Sequence, residues 1–314
     1  MSPVRVLAVG VHVLDVHVRH VESIPEGSEG QIVDQIRVSP AGTAGGTAVV
    51  LSRLGAEVHS AGALGRDPLA GVLRQLLEHH GVDTTRLVTR PDVQTSASVL
   101  PVRPDGARPA WHCIGANGSY TLDDLDLTTL GDYDVVHLGG PEFLGGEAAG
   151  ALLEAARAAG ATTSVDLLAP GDPDMLEWVG ACLPHVDHLL PNDEQLRGFT
   201  GLDDLGEAAR VLLDRGVGCV AVTCGGDGAL VATAAGVERV PAFEVDVVDT
   251  TGCGDAFSAG FLLGVAGGRT PAQAAVLGNA TAAQVVGGVG TDAGTYDLAS
   301  VDDFAIRTPT RAGR

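Results

Sequence analysis

Val248-Asp249-Thr250-Thr251-Gly252-Cys253-Gly254-Asp255-Ala256-Phe257 decides how this chain is read. An apolar run ending at Val247 and Val248 reads as a strand, and the small-residue stretch 256–266 reads as a buried helix. Two glycines and an aspartate stand at the helix mouth. Such a mouth aims unpaired backbone N–H groups and the positive end of the helix dipole at one spot. That spot suits an anion whose charge develops during a reaction, and Asp255 stands beside it to remove a proton. The stretch reads as a phosphoryl-transfer site.

Working outward, the rest of the chain alternates strand and helix. Helices are expected at 45–54, 68–80, 146–159, 204–215, 255–266 and 271–286. Strands are expected at 4–9, 58–61, 135–138, 163–166, 188–190, 220–223, 229–232 and 243–247. This rhythm predicts an α/β fold: a mostly parallel central sheet with helices on both faces. Ligands of such sheets sit beyond the carboxyl ends of the strands, where Asp249–Asp255 falls. Four further stretches stand apart. Residues 11–19 alternate in polarity and pair with 31–38, while 97–103 and 110–114 flank the turn Pro104-Asp105-Gly106. Together, about 11–40 and 95–115 are expected to form a small β-sheet lid on a single domain spanning 1–314, with 307–314 a frayed tail.

Composition removes several functions. The 314 residues carry a formal net charge of −21, which disfavours nucleic acid as a partner. All 19 basic residues are arginine, so neither a Walker-A lysine nor a pyridoxal Schiff base is available. With 45% hydrophobic but only 4% aromatic residues, the core must be built from Ala, Val and Leu. No apolar run is long enough for a membrane span, and the five cysteines form no C-x-x-C pair. A cytoplasmic protein with reduced thiols is expected. Gly252-x-Gly254-x-x-Phe257 lacks the third glycine of a dinucleotide fingerprint and falls late in the chain, so a nicotinamide oxidoreductase fits poorly.

The string Asp249-Thr250-Thr251-Gly252-Cys253-Gly254-Asp255 resembles the D-T-x-G-A-G-D signature of the ribokinase-like (PfkB) carbohydrate and nucleoside kinases. The resemblance implies a kinase with Asp255 as general base and Gly252, Cys253 and Gly254 as the anion hole, Cys253 contributing only its backbone. Gly10–Asp15 resembles the family's first strand, which makes Asp15 the grip on sugar hydroxyls. Residues 41–48 match the first signature, implying that Gly42, Thr43 and Gly46 lie against substrate, and Gly115-Ala116-Asn117 matches a stretch that brings in Asn117. On the nucleotide side the resemblance implies ATP near Thr223, Gly225, Gly228 and Asn279. Asn192 and Gln195 fall in the family's N-x-x-E motif, whose Glu orients hydrated Mg²⁺. Asp249, Thr251, Val285, Gly288 and Gly290 match a monovalent-cation site such as one for K⁺. Pairing of two copies through the lid is a family habit.

Two positions break the pattern. Gly46 stands where the family has a sugar-binding Asn, and Gln195 stands where it has Glu. The leading reading is an ATP-dependent kinase acting on a primary hydroxyl of a small sugar or nucleoside. The alternative is a non-catalytic sugar or nucleotide sensor on the same fold.

Overall fold

The structure is a computed structural model and describes residues 3–103 and 108–311. The lid turn Pro104-Asp105-Gly106 therefore lies outside the described residues. Thirteen strands are described: β1 (Arg5–Gly10), β2 (Val13–Arg19), β3 (Gln35–Ala41), β4 (Glu57–Gly65), β5 (Asp83–Arg90), β6 (Ala97–Val102), β7 (Trp111–Cys113), β8 (Val135–Gly139), β9 (Thr162–Asp166), β10 (His188–Leu189), β11 (Cys219–Thr223), β12 (Ala229–Thr233) and β13 (Gly236–Val240). The helices are α1 (Gly45–Arg53), α2 (Pro68–His79), α3 (Pro141–Leu144), α4 (Gly146–Ala158), α5 (Pro173–Val179), α6 (Asp193–Thr200), α7 (Leu205–Asp214), α8 (Cys253–Ala266), α9 (Pro271–Val285) and α10 (Leu298–Arg307).

Nine strands form the central sheet in the order β13-β12-β11-β10-β9-β8-β1-β4-β5. Every pairing in it is parallel except those of the β11-β12-β13 meander at one edge. The fold class read from the sequence is the one observed. Successive residues of β1 split between two cores: Val6 and Ala8 face α1, α8 and α9, while Leu7 and Val9 face α4 and α7. A strand buried on both faces has to read as continuous apolar sequence, as 4–9 does.

Helix α8 is the most buried helix, with Ala256 through Gly264 all enclosed. It can lie that deep because its neighbours are small. A Cβ at Gly260 would meet Thr281 and Leu277 of α9, and one at Gly264 would meet Ala274. Close helix approach thus packs around the few large rings present, Phe257 and Phe261 of α8 itself.

The second sheet has the order β3-β2-β6-β7, with β2 and β6 parallel between two antiparallel hairpins. Asp15, Ser39, Ser98 and His112 share one register row and one face. Val38, Val16, Val99 and Trp111 share the adjacent row and point the opposite way. The four chain crossings between lid and core are hydrogen-bonded to one another. Val11 O accepts from Ala44 and Gly45 N–H, Leu14 N–H donates to Ser96 O, and Ala116 N–H donates to Gln94 O. The Asn117 side chain then binds both the N–H and the C=O of His12, at 3.2 and 3.0 Å.

Some expectations are corrected. Residues 243–247 form no strand; Phe243 makes an isolated bridge to Thr310, because the β12-β13 hairpin already supplies the sheet edge. The lid strands begin later than expected, at Val13 and Gln35. The tail is not frayed from 307. Arg307 ends α10, Pro309 O accepts from Glu244 N–H, and Arg311 N–H donates to Ala242 O. Those backbone bonds tie 309–311 to the segment that was expected to be a strand.

Candidate active site

Helix α8 begins at Gly252, whose φ of 78° lies in the left-handed region open to glycine. A Cβ there would also strike Thr291. No side chain caps the first turn, and although Cys253 N–H donates to Thr250 O at 3.3 Å, the N–H groups that follow it at Gly254 and Asp255 have no cap to receive them. Gly254 is exposed, with nothing near its Cα on the cavity side. The mouth opens into a cavity of about 240 Å³ lined by Thr43, Asp166, Asn192, Thr223, Gly254 and Asp255, among others. Asp166 ends β9, Thr223 ends β11 and Asn192 follows β10, so the cavity lies at the carboxyl edge of the sheet.

Two carboxylates, Asp166 and Asp255, line this cavity, and Asp15 on the lid acts on Asp255 through its charge. Burial is the chief cause that pushes Asp15 up to about 6, with a hydrogen bond from Ser98 pulling the other way. Burial likewise pushes Asp166 up to about 7, against the Ser258 hydroxyl that donates to its Oδ2 at 3.1 Å. Asp255 is raised well above the ordinary carboxylate range, first by burial and then by the charges of Asp166 and Asp15. Like charges gathered in a low-dielectric pocket resist simultaneous ionisation. The counter-charge is Arg108, reaching in from the lid just before β7. Its Nε donates to Thr250 Oγ1 at 3.2 Å and lies 3.9 Å from Asp249 Oδ1.

A second cavity of about 190 Å³ adjoins the first at Thr250. It is an apolar slot walled by Gly225, Gly226, Phe243, Cys253, Asn279 and Ala283, among others. A polar, acid-bearing chamber is thus joined to an apolar slot at the mouth of one helix. The family model described as pfkB family carbohydrate kinase matches residues 5–297. The chain belongs to the pfkB family of carbohydrate kinases. An ATP-dependent ribose-1-phosphate kinase from Halopiger xanaduensis is 33% identical over 259 residues, covering 82% of this chain and 84% of that protein. An aminoimidazole riboside kinase from Salmonella typhimurium is 29% identical over 231 residues, covering 71% of this chain and 72% of that one. Among solved structures, a putative ribokinase from Agrobacterium tumefaciens superposes with a TM-score of 0.86 at 23% identity, covering 98% of both chains.

In this pfkB kinase the residues singled out from sequence do not all reach the cavity. Asp255, Gly252, Gly254, Thr43, Asn192, Gln195 and Thr223 line the acidic chamber, and Thr43 Oγ1 is buried there without a partner. Gly225 and Asn279 line the apolar slot. Asn279 Nδ2 is bound to the carbonyls of Val240 and Pro241, at 3.2 and 3.1 Å, so it also anchors the slot's wall. Gly228, at φ 91°, holds the turn above the slot, where a Cβ would strike Val240 O. Gly42 does the same at the lid root, against Val11 O. Cys253 contacts Ala282 O through sulfur at 3.9 Å, and burial pushes its thiol up to about 12, which suits a packing residue and not a nucleophile.

Three residues are committed elsewhere. Asn117 has no free polar atom for substrate, since it clamps His12. Gln195 is buried in a reciprocal cap with Asn192 and in two bonds to backbone carbonyls. Asp249 is spent on its own turn: Oδ1 accepts from Thr251 N–H and Oγ1, and Oδ2 accepts from Gly290 N–H at 3.1 Å. Gly288 N–H already donates to Val285 O at 3.1 Å. Among the described residues no group of three or more His, Cys, Asp or Glu side chains could hold a metal ion. Arg108 is the site residue that sequence reading missed. Its signal was an arginine at the foot of the lid hairpin in a strongly acidic chain.

Proposed function

We propose that this kinase transfers the γ-phosphoryl group of ATP to a primary hydroxyl of a small sugar or nucleoside, with Asp255 as the base. The carrying observation is the position of Asp255: an acid of raised pKa stands in the first turn of α8, at the mouth where the uncapped amides gather. Asp15 holds the sugar hydroxyls from the lid side. The ionised Asp255 accepts the proton of the attacking hydroxyl, and the Gly252–Gly254 amides receive the phosphoryl oxygens. Transfer of this kind depends on positioning and charge stabilisation more than on base strength.

Arg108 supplies cationic charge beside the cradle. In a chamber lined by two acids, with Asp15 close enough to act on Asp255, it balances the incoming phosphate and draws the lid over it. Excluding water there limits hydrolysis of ATP. The apolar slot fits a nucleobase, with Gly225 and Gly226 permitting close approach. Mg²⁺ would ride on the nucleotide phosphates, needing only one or two protein partners. Asp166, Asn192 and Gln195 line that space, but both Gln195 N–H donors are already given to the carbonyls of Leu167 and Ala169. A monovalent cation near Asp249 would depend on backbone carbonyls of Thr251, Val285, Gly288 and Gly290. Two relatives, a ribose-1-phosphate kinase and an aminoimidazole riboside kinase, favour a ribose-bearing substrate.

The test is ADP release over a panel of pentoses, hexoses, pentose phosphates and nucleosides. A ribose-bearing member is expected to turn over best. Asp255→Asn should lower kcat by about 10²–10⁴-fold while ATP binding is kept. Near wild-type turnover in that variant would remove Asp255 as the base.

A further inference from the structure

We infer that Gln195 is a positioning residue. With Glu142 it clamps the 167–171 loop, setting Asp166 and the adjoining cavity wall, and it does not serve a metal-bound water. The loop follows Asp166 directly, and Leu167, Leu168 and Gln195 itself line the acidic chamber, with the Gln195 amide turned to the loop and not to the open space. Gln195 meets it from α6. Its Nε2 donates to Leu167 O at 2.8 Å and to Ala169 O at 3.0 Å, while its Oε1 accepts from Asn192 N–H at 2.9 Å. The partners fix the orientation of the amide: two carbonyls at one end, an N–H at the other.

Glu142 meets the same loop from α3. Its Oε1 accepts from Leu168 N–H at 2.7 Å and from Ala169 N–H at 2.6 Å. The loop's donors thus go to a carboxylate and its acceptors to a carboxamide, which accounts for an acid at 142 and an amide at 195. The fit is close in the backbone too. A Cβ at Gly171 would run into the Gln195 main chain, and one at Gly198 into Gly171, so the loop lies flush on α6.

This arrangement explains the departure at 195 without invoking weak metal binding. A glutamate there would set a carboxylate oxygen against two carbonyl oxygens and leave both without a donor. Restoring the family's acid should therefore damage this chain. Because α6 also carries Asn192, and Asn192 bridges to Thr223, the clamp joins the nucleotide side of the cavity to the side holding Asp166.

The experiment compares wild type, Gln195→Glu and Glu142→Ala by amide hydrogen exchange of the ligand-free protein, thermal melting, and kinetics at varied Mg²⁺ and sugar. Gln195→Glu is expected to speed exchange at 167–171 and lower Tm by on the order of 5 °C. It should also cut kcat/KM for sugar about tenfold or more, with the half-saturating Mg²⁺ concentration unchanged. Glu142→Ala, which lies on the other side of the loop, should reproduce the exchange and sugar effects. If Gln195→Glu fails to fold, Glu142→Ala decides alone: unchanged exchange at 167–171 overturns the clamp. A Gln195→Glu protein with native exchange and a lower Mg²⁺ requirement overturns it as well. The kinetic arm rests on the phosphoryl-transfer reading, whereas exchange and melting do not, so failure of one is distinguishable from failure of the other.

Discussion

Gly46 shows how one missing side chain is accounted for by another that is present. A Cβ built at this position would land on the Asp255 carboxylate and press on Thr291 Cγ2. The space that an asparagine side chain would need is therefore occupied by the Asp255 carboxylate. Gly46 lies inside α1 with ordinary helical backbone, so larger residues are excluded by the neighbour and not by strain. Gly46→Asn is expected to fold, to displace Asp255 and to lower kcat by about 10²-fold, as a misplaced base does. Steady-state kinetics beside a melting curve checks this. A Gly46→Asn enzyme with native kcat would show that Asp255 has room to move.

Legibility from sequence also divides at this scale. Residues acting through backbone position, such as Gly252, Gly254 and Asp255 at a helix mouth, were readable because local spacing determines where they point. Asn117, Gln195 and Arg108 were not. Whether an amide meets a ligand or a distant carbonyl depends on which chain segment folds against it, and that is tertiary information.

Among elements, the well-read ones were those buried on one or both faces, from β1 to α8 and α9. The strand Asp83–Arg90 escaped notice because it is a half-exposed sheet edge whose sequence, DTTRLVTR, is mostly polar. Short helices such as α5 and α6 escaped because their stability comes from capping and packing more than from a long periodic face. The C-terminal segment was misjudged from composition. Its 309–311 backbone bonds hold it to 242–244, and Arg311 lines the apolar slot. Deleting 309–314 is expected to raise KM for ATP about tenfold, from the lost wall and two backbone hydrogen bonds, and to leave KM for sugar unchanged. An unchanged ATP KM would place the nucleobase elsewhere.

For the whole molecule, the buried acids tie stability to pH. Asp15 and Asp166 titrate at about 6 and about 7 when folded, above their unfolded value of 3.8, and Asp255 is also raised. The stabilisation from their bound protons is complete below the unfolded value and is lost as pH rises through the folded ones. Buried His12 and His137 act oppositely, their pKa lowered from 6.5 to about 4 by burial, but above pH 6.5 they are largely neutral in both states. Ligand-free protein should therefore lose about 1–2 kcal/mol between pH 6.5 and 8, seen as a Tm lower by a few degrees. Asp255→Asn should flatten that slope. Activity should run the other way, since the proposed base must be ionised: kcat/KM is expected to fall with acid at a pH well above the ordinary carboxylate range. Among the described residues no helix is long and apolar enough to cross a membrane. The outer face of the lid still leaves Trp111 58%, Ile36 66% and Val99 38% exposed. A second copy of this chain is proposed to cover them, and Val99→Asp should convert a dimer to a monomer in light scattering.

The knot of hydrogen bonds at the lid root restricts how the lid can travel. With all four crossings tied together, the sheet must swing as one stiff flap on a single hinge. Its far edge is fastened by Arg37, whose Nη2 meets Asp292 Oδ1 at 2.8 Å. Arg108 ties the lid to Thr250 as well, and because salt weakens exposed ion pairs, sugar uptake is expected to quicken with salt. A pair of spectroscopic probes, one on β3 and one on α10, would follow the swing as a single distance.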